Sequence, residues 1–234
     1  MSPMSLKGKL LAAAAALTMA GAATAVGAAV TATTANAATS PCGRSCIDIF
    51  SRLFGVHTSP NFVLAVSGSG AATGTPIILS PASNADPNED FTVSFKGTVN
   101  EFYLADLVTS ALNLHYHNLY AYEIQYSPDG VESGRCVGVG STAADGTKVT
   151  LQPCGASSKT VWIVDAYSSI RGHYAPLING SDVNFSQPYV LNYPSSGYPT
   201  DQPRPELQTW TLLKFSNHST VSNELFSADF GVLP

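Results

Sequence analysis

The chain has few charged residues: they make up 12% of 234 residues, with 11 lysines and arginines against 16 aspartates and glutamates. A protein that binds nucleic acid through its phosphates needs clustered basic side chains, so this acidic balance excludes a nucleic-acid partner of that kind. Catalytic motifs are also missing, because the chain contains neither Gly-x-Ser-x-Gly nor His-Glu-x-x-His. We therefore expect a protein that is not an enzyme and that needs no cofactor.

Long apolar runs are scarce as well, and the one that is long enough to span a membrane occupies residues 10–30. Lys7 and Lys9 precede it, and an Ala-x-Ala pattern that ends at Ala37 follows it. This order is that of a secretory signal peptide, which we predict over residues 1–37. The alternative is a transmembrane anchor, but the run is rich in Ala, Gly and Thr and leads into a cleavage pattern.

The predicted mature chain comprises residues 38–234. Loss of the two signal lysines moves its net charge from −5 to −7. The long Ala-rich signal is typical of Gram-positive bacteria and has an actinobacterial appearance. We expect the mature chain to be secreted, extracellular, monomeric and free of the membrane. About 200 residues form one domain with a sizeable core.

Cysteine is limited to four residues. In an exported chain these should be oxidised, and four cysteines allow three pairings. A Cys136–Cys154 disulfide would close a loop inside one repeat-like unit, which leaves Cys42–Cys46 as a tight loop near the mature N-terminus. We favour these two structural disulfides. The alternative for the second pair is a metal or redox site, although Cys-x-x-x-Cys is not the spacing of a thioredoxin motif.

Apolar spacing predicts a short helix near the mature N-terminus, followed by strands. Ile47, Phe50 and Phe54 recur at helical spacing, and Gly55 would end the helix. From Phe62 onward, short β-rich runs are separated by Gly, Pro, Asn and Asp, which is typical of strands and turns.

One segment among these strands has the period of a helix instead. Its apolar residues recur on one face, and Asn100 is suited to cap its N-terminus. The sequence therefore predicts one helical insert over about residues 100–118. The apolar face comprises Leu104, Leu107, Val108, Ala111 and Leu112.

An internal repeat emerges when the β-rich segments are stacked. Residues 62–93 match residues 136–164, so that Val-Leu-Ala-Val aligns with Cys-Val-Gly-Val and Phe91 aligns with Trp162. A third copy starts at Tyr189. Either Trp210 or Phe226 takes the aromatic position of this copy. Units of this size cannot bury an apolar face alone, so three of them predict a threefold closed β structure.

These units resemble the repeat of the ricin-type (ricin B-like) β-trefoil lectins. That repeat contains Cys-Leu-Asp-Val, a Gly turn, Val-x-Leu, a second Cys and Gln-x-Trp, and the second unit follows it with CVGV, DGTKVTLQPCG and TVW. The spacing of Cys136 and Cys154 is close to that of the family's disulfide within a repeat. The resemblance implies an all-β β-trefoil with a short N-terminal helix and one helical insert. Its three pseudo-repeats span about 56–97, 120–166 and 185–230.

The resemblance also implies one sugar site for each repeat, in which an Asp accepts bonds from hydroxyls and an aromatic ring stacks on the sugar. Here the Asp position holds Ala65, Gly138 and Asn192 in the three repeats, so the sites are degenerate. The Gln of the Gln-x-Trp motif is replaced by Glu89 and Thr160 in the first two. In the third repeat the residue at this position is Gln208 or Glu224, depending on register.

Repeat three is the candidate for a surviving site. Asn192 and Gln208 would bond to hydroxyls, and Tyr193 or Tyr198 would stack on the sugar. The alternative is that these residues cap a loop and brace a turn. The implied function is non-catalytic binding of a glycan or polysaccharide. The alternative function is a protein-interaction or structural module that has lost sugar binding. We expect Trp162 and Trp210 in the core.

Two other constellations have structural interpretations. His115 and His117 form a His-x-His pair that would suit zinc on a strand. However, the pair lies in the helical segment without a third ligand nearby, and we predict no metal site. Glu123, Asp129 and Glu132 are close in sequence. A glycosidase needs two facing carboxylates, and we expect these three to be solvated loop residues instead.

Overall fold

The computed structural model describes residues 46–51, 62–83, 85–155, 157–169, 174–193, 206–209, 224 and 226–228. The predicted signal peptide and Cys42 lie outside these residues. Contacts divide the chain into residues 1–35 and 36–234, and all described residues belong to the second unit. Within them, none of the helices has the length and hydropathy needed to cross a membrane.

Short strands dominate the described residues, as the β-rich runs predict. The strands are β1 Ile49–Ser51, β2 Phe62–Val66, β3 Ile77–Pro81, β4 Phe91–Thr98, β5 Tyr120–Tyr126, β6 Arg135–Val139, β7 Thr147–Pro153, β8 Val161–Val164, β9 Leu177–Asn179, β10 Tyr189–Asn192, β11 Glu206–Thr209 and β12 Phe226–Ala228. The helices are α1 Val99–Leu104 and α2 Ser110–Tyr116. Short 3-10 turns cover Pro87–Glu89, Pro128–Gly130, Ser158–Thr160 and Ala166–Ser168.

The strands close on themselves in a threefold pattern. β1, β4, β5, β8, β9 and β12 form an antiparallel barrel, in which β4 pairs with β5, β5 with β8, β8 with β9 and β12 with β1. The bridges Ile47–Phe91 and Ala175–Phe226 complete the ring. The remaining strands form the hairpins β2–β3, β6–β7 and β10–β11, which meet through β3, β7 and β11. Two barrel strands and one hairpin in each of three repeats constitute a β-trefoil, as expected.

The core repeats with the same symmetry. Phe91, Trp162 and Phe226 occupy equivalent positions in one buried cluster. The indole Nε1 of Trp162 donates a 2.8 Å hydrogen bond to the carbonyl oxygen of Val137, which confirms Trp162 as a core residue. Phe226 therefore supplies the aromatic of repeat three, and the register left open by the sequence is settled. Trp210 lies outside the described residues.

The predicted N-terminal helix is wrong where the structure describes it, because Ile49–Ser51 is a strand. Ile47, Ile49 and Ser51 are buried, whereas Asp48 is exposed and Phe50 only partly covered. This alternation is the period of a strand. Pairing with β2 and β12 outweighs the local helical spacing because it completes the sheet.

The helical insert is present, but it comprises two short helices and not one. Thr98 caps α1 and exchanges hydrogen bonds with Glu101 in a capping box, so the predicted cap Asn100 is wrong by two positions. The chain leaves the helix after Leu104, and Asp106 adopts a φ of 59°. Because of this break, Leu104 is 74% exposed and the inward residue is Phe102.

The insert packs on the outside of the barrel. Its buried residues form a second cluster with side chains from β5, β8, β9 and β10. The backbone N–H of Thr109, the cap of α2, donates to the carbonyl oxygen of Gly180 at 3.2 Å. The Thr109 hydroxyl donates to the carbonyl oxygen of Asp182. The insert therefore covers the junction between repeats two and three.

Candidate functional site

The threefold axis brings together two sets of positions at which the sequence predicts sugar contacts. The first set, Ala65, Gly138 and Asn192, lies on the first strand of each hairpin. The second set lies two residues before each core aromatic and consists of Glu89, Thr160 and Glu224. The structure thus assigns Glu224, and not Gln208, to the Gln position of repeat three.

In repeat two the site is filled by the protein itself. A Cβ atom on Gly138 would lie 2.7 Å from the carbonyl oxygen of Lys159 and 2.9 Å from Cγ2 of Thr160. The amide Nδ2 of Asn179 donates to the same Lys159 oxygen at 3.1 Å. The turn before β8 therefore rests directly on Gly138, and only glycine leaves room for it.

Glu123 completes this closed arrangement. It is a buried residue of β5 and not a solvated loop residue, so that prediction is wrong for Glu123. The hydroxyl of Thr160 donates to its Oε1 at 2.5 Å. The backbone N–H of Gly155 donates to both of its carboxylate oxygens at 2.9 and 3.1 Å. The disulfide Cys136–Cys154, which the sequence predicts, ties the same loop to β6.

In repeat one a glutamate, Glu89, occupies the position of Thr160, and only one of its carboxyl oxygens has a hydrogen-bond donor. Glu89 is only 4% exposed. Its Oε2 accepts a 2.7 Å hydrogen bond from the backbone N–H of Ser83, and its Oε1 is buried without a hydrogen-bond partner. Burial raises the pKa of the Glu89 carboxyl to about 7; the Ser83 N–H lowers it, and the nearby charges of Asp86, Asp48 and Asp90 raise it further.

In repeat three the corresponding carboxyl belongs to Glu224. It is buried, and its Oε2 has no hydrogen-bond partner. Burial raises the pKa of this carboxyl to about 7 as well. Repeats one and three therefore share a buried glutamate where repeat two has a hydrogen-bonded threonine.

The predicted site residues of repeat three occupy different environments. Asn192 is fully buried, and Tyr193 is 1% exposed within the main core, where it corresponds to Val66 and Val139. The ring of Tyr193 therefore presents no face to solvent. Gln208 lies in β11 opposite Val190, two pairs along the ladder from Asn192–Glu206. Its side chain lies outside the described part of the structure.

Tyr198 also lies outside the described residues. Asn192 and Gln208 are thus brought to one hairpin, whereas Tyr193 points into the core. The alignment of the three repeats identifies Glu89 and Glu224 as residues at the Gln position. Nothing in the sequence identifies Glu123 as part of this arrangement, because its partners Thr160 and Gly155 are distant in sequence.

A separate aromatic feature lies on the insert. The rings of His115 and Phe185 stack with centroids 3.7 Å apart. Leu114 and Val183 beside them are each 72% exposed. The loop that carries Phe185 is held by Asp182, whose carboxylate accepts from the backbone N–H groups of residues 184 and 189. We call Leu114, His115, Val183 and Phe185 the insert patch.

His115 and His117 lie at the end of α2, on a helix. Across the described ranges there is no group of three His, Cys, Asp or Glu side chains that could hold a metal ion. Cys46 is disulfide-bonded, and position 42, its predicted partner, lies outside the described residues.

No protein-family model and no curated protein matches the chain. Among solved structures, a designed 3-fold symmetric protein, ThreeFoil, is 10% identical with a TM-score of 0.49, over 79% of this chain and 97% of its own. The ricin B-like lectin of Macrolepiota procera, solved in complex with lactose, is 16% identical with a TM-score of 0.46, over 79% of this chain and 95% of its own. The β-trefoil lectin of the Vibrio vulnificus hemolysin/cytolysin, solved with N-acetyl-D-lactosamine bound, is 15% identical with a TM-score of 0.36, over 73% of this chain and 99% of its own. The strand pairing within the chain itself shows the β-trefoil.

Proposed function

We propose that this chain is a secreted, non-catalytic glycan-binding β-trefoil whose working site lies in repeat three. The length of the connections around that site supports the proposal. Residues 193–205 join β10 to β11, and residues 210–225 join β11 to β12, which is 13 and 16 residues. The matching connections of repeat two have 7 residues each. Binding residues are concentrated in the segments that connect the elements of a rigid scaffold.

The chemistry of these connections fits a sugar. They contain Tyr198, whose ring would stack on the apolar face of a pyranose, and several amide and hydroxyl side chains for its hydroxyl groups. Asn192 is the only polar residue at the three Asp positions, and Gln208 lies two pairs away in the register. Repeat two has no space for a sugar at Gly138, so it takes no part.

The test is binding of residues 38–234 to a broad panel of soluble glycans and insoluble polysaccharides, with Tyr198→Ala and Gln208→Ala beside the wild type. Gln152→Ala is the matched control, because Gln152 pairs with Cys136 in repeat two as Gln208 pairs with Val190 in repeat three. We expect at least a tenfold weaker affinity in the repeat-three variants and wild-type affinity in the control. If the wild type and all three variants bound glycan equally, the binding site would not lie in repeat three.

The insert patch favours a second candidate, a module that binds protein and has lost sugar binding. Leu114, Val183 and Phe185 are exposed there, and hydrogen bonds to Asp182 hold the backbone on both sides of Phe185. A folded chain that binds no glycan on the panel would favour this function over the first. Glycan binding that is unchanged in a Leu114→Ser, Phe185→Ser variant would leave the patch without a role in the first function.

A further inference from the structure

Glu89 fastens a loop of repeat one to the body of the trefoil. It is the last residue of the 3-10 turn Pro87–Glu89, directly before the sequence Asp90-Phe91 that enters the barrel. Its carboxyl group reaches back six residues to the backbone N–H of Ser83 at 2.7 Å. The carboxyl thus holds residues 83 and 89 together, while its second oxygen lies buried without a hydrogen-bond partner.

The groups that face this carboxyl are acidic on every side that the structure describes. Asp86 and Asp90 flank it on its own turn, and Asp48 acts on it from the segment before β1. Asp129, on the turn Pro128–Gly130, donates its backbone N–H to Asp90 Oδ2 at 3.0 Å. β2 carries no ionisable side chain. Among the described residues, no lysine, arginine or histidine acts on Glu89.

The uncharged group of β5 nearby is a phenol. The hydroxyl of Tyr126 donates to Asn88 Oδ1 at 3.3 Å, and burial together with the charges of Asp86, Asp90 and Asp129 raises its pKa. It therefore supplies no positive charge either. A charged Glu89 would be a buried anion among other anions, which costs free energy unless a proton or movement into water removes the charge.

In repeat two the position equivalent to Glu89 does not depend on a proton. The core aromatic pairs with Ile47 in repeat one and with Tyr122 in repeat two. The next residues along the chain, Asp48 and Glu123, are therefore equivalent. There a threonine hydroxyl donates to the carboxylate. In repeat one two acids occupy the corresponding positions.

From this geometry we propose that Glu89 is a proton-dependent latch, which holds Ser83 against the turn Pro87–Glu89 when it is neutral and releases Ser83 when it is ionised. The sign follows from the two pKa values. The carboxyl has a pKa of about 7 when buried and of 4.5 in water. The latch is therefore complete below pH 4.5 and loosens as the pH rises to about 7, because the open loop loses its proton first.

The test is amide hydrogen exchange of Ser83 in the intact chain at pH 4.5 and pH 7, expressed as protection factors so that the intrinsic pH dependence cancels. We expect wild-type protection to fall at least about tenfold between the two values. The Glu89→Gln variant should show no such fall, because its amide accepts the Ser83 bond without a charge. Glu132→Gln removes an exposed carboxyl and should behave as the wild type.

A second measurement on the wild type alone guards against a variant that fails to fold. The side-chain carboxyl carbon of Glu89, followed by NMR, should titrate near neutrality and in step with the exchange of Ser83. Equal Ser83 protection at both pH values, the same fall in Glu89→Gln, or a Glu89 midpoint near 4.5 would each overturn the latch.

Discussion

Repeats one and two differ in how each closes the same place in the trefoil. In repeat two the turn before β8 rests on Gly138, Thr160 donates to Glu123, and a disulfide ties the loop to the hairpin. In repeat one the turn before β4 ends at Glu89, whose buried oxygen has no hydrogen-bond partner. Repeat two is thus closed by packing, hydrogen bonds and a covalent bond, whereas repeat one depends on a proton. Symmetry of the backbone does not require symmetry of the interactions that stabilise it.

The largest expected effect comes from placing a side chain where repeat two has none. Gly138→Asp puts Cβ 2.7 Å from a backbone oxygen that cannot move cheaply, and buries a carboxylate beside it. We expect a loss of about 4 kcal/mol in the free energy of unfolding, measured by chemical denaturation. An Asp therefore cannot be introduced at this position without a large loss of stability.

Gly140→Asp is the control for this variant. At Gly140 a Cβ would meet only the Gln152 side chain, at 3.6 Å. We expect a change of less than about 1 kcal/mol. Similar losses in both variants would show that the close approach at Gly138 is not the cause.

The second effect tests the covalent part of the comparison. Replacing Cys136 and Cys154 by serine opens a loop with a sequence separation of 18 residues. The loop-closure model gives a loss of about 3 kcal/mol, which denaturation of wild type and variant should show. The segment before β4 in repeat one, residues 82–90, contains no cysteine, so this loss measures how far the matching segment of repeat two relies on its covalent bond. An unchanged midpoint of unfolding would mean that packing alone closes repeat two.

The threefold fold and its inserted helices follow from sequence, because alternating apolar residues and turn residues recur locally. The N-terminal strand could not be predicted, since Ile47 and Phe50 satisfy a helical period and only pairing with distant β12 decides between the two. The filled site of repeat two could not be predicted either. In the sequence Gly138 is only a position where the repeat lacks its Asp. Glycine is required there because the backbone of Lys159, 21 positions away, lies against it. The burial of Glu123 could not be predicted for the same reason, because its partners Gly155 and Thr160 are distant in sequence.

A third, smaller effect concerns the buried acids of repeats one and three. Glu89 and Glu224 each have a carboxyl pKa of about 7 when folded, against 4.5 for the free side chain. The unfolded chain therefore releases these protons first, so stability is full below pH 4.5 and declines as the pH rises to about 7. We expect each Glu→Gln variant to be about 2 kcal/mol more stable than the wild type at pH 7 and equal to it at pH 4.

Thermal unfolding as a function of pH checks this expectation. Glu132→Gln, at an exposed position, is the matched control and should follow the wild type at both pH values. A wild-type stability that is flat between pH 4.5 and 7, or a gain in the Gln variants that persists at pH 4, would contradict burial of the carboxyl as the cause.

The smallest effect tests the hydrogen bond that distinguishes repeat two. Thr160→Val keeps the shape of the side chain but removes the hydroxyl that donates to Glu123 Oε1 at 2.5 Å. The carboxylate retains the backbone N–H of Gly155, so we expect a loss of about 1.5 kcal/mol and not complete unfolding. Thr160→Ser, which keeps the hydroxyl, should lose less. If Thr160→Ser lost as much as Thr160→Val, the hydroxyl would not be the cause, and the difference between the two repeats would lie in the packing around Gly138.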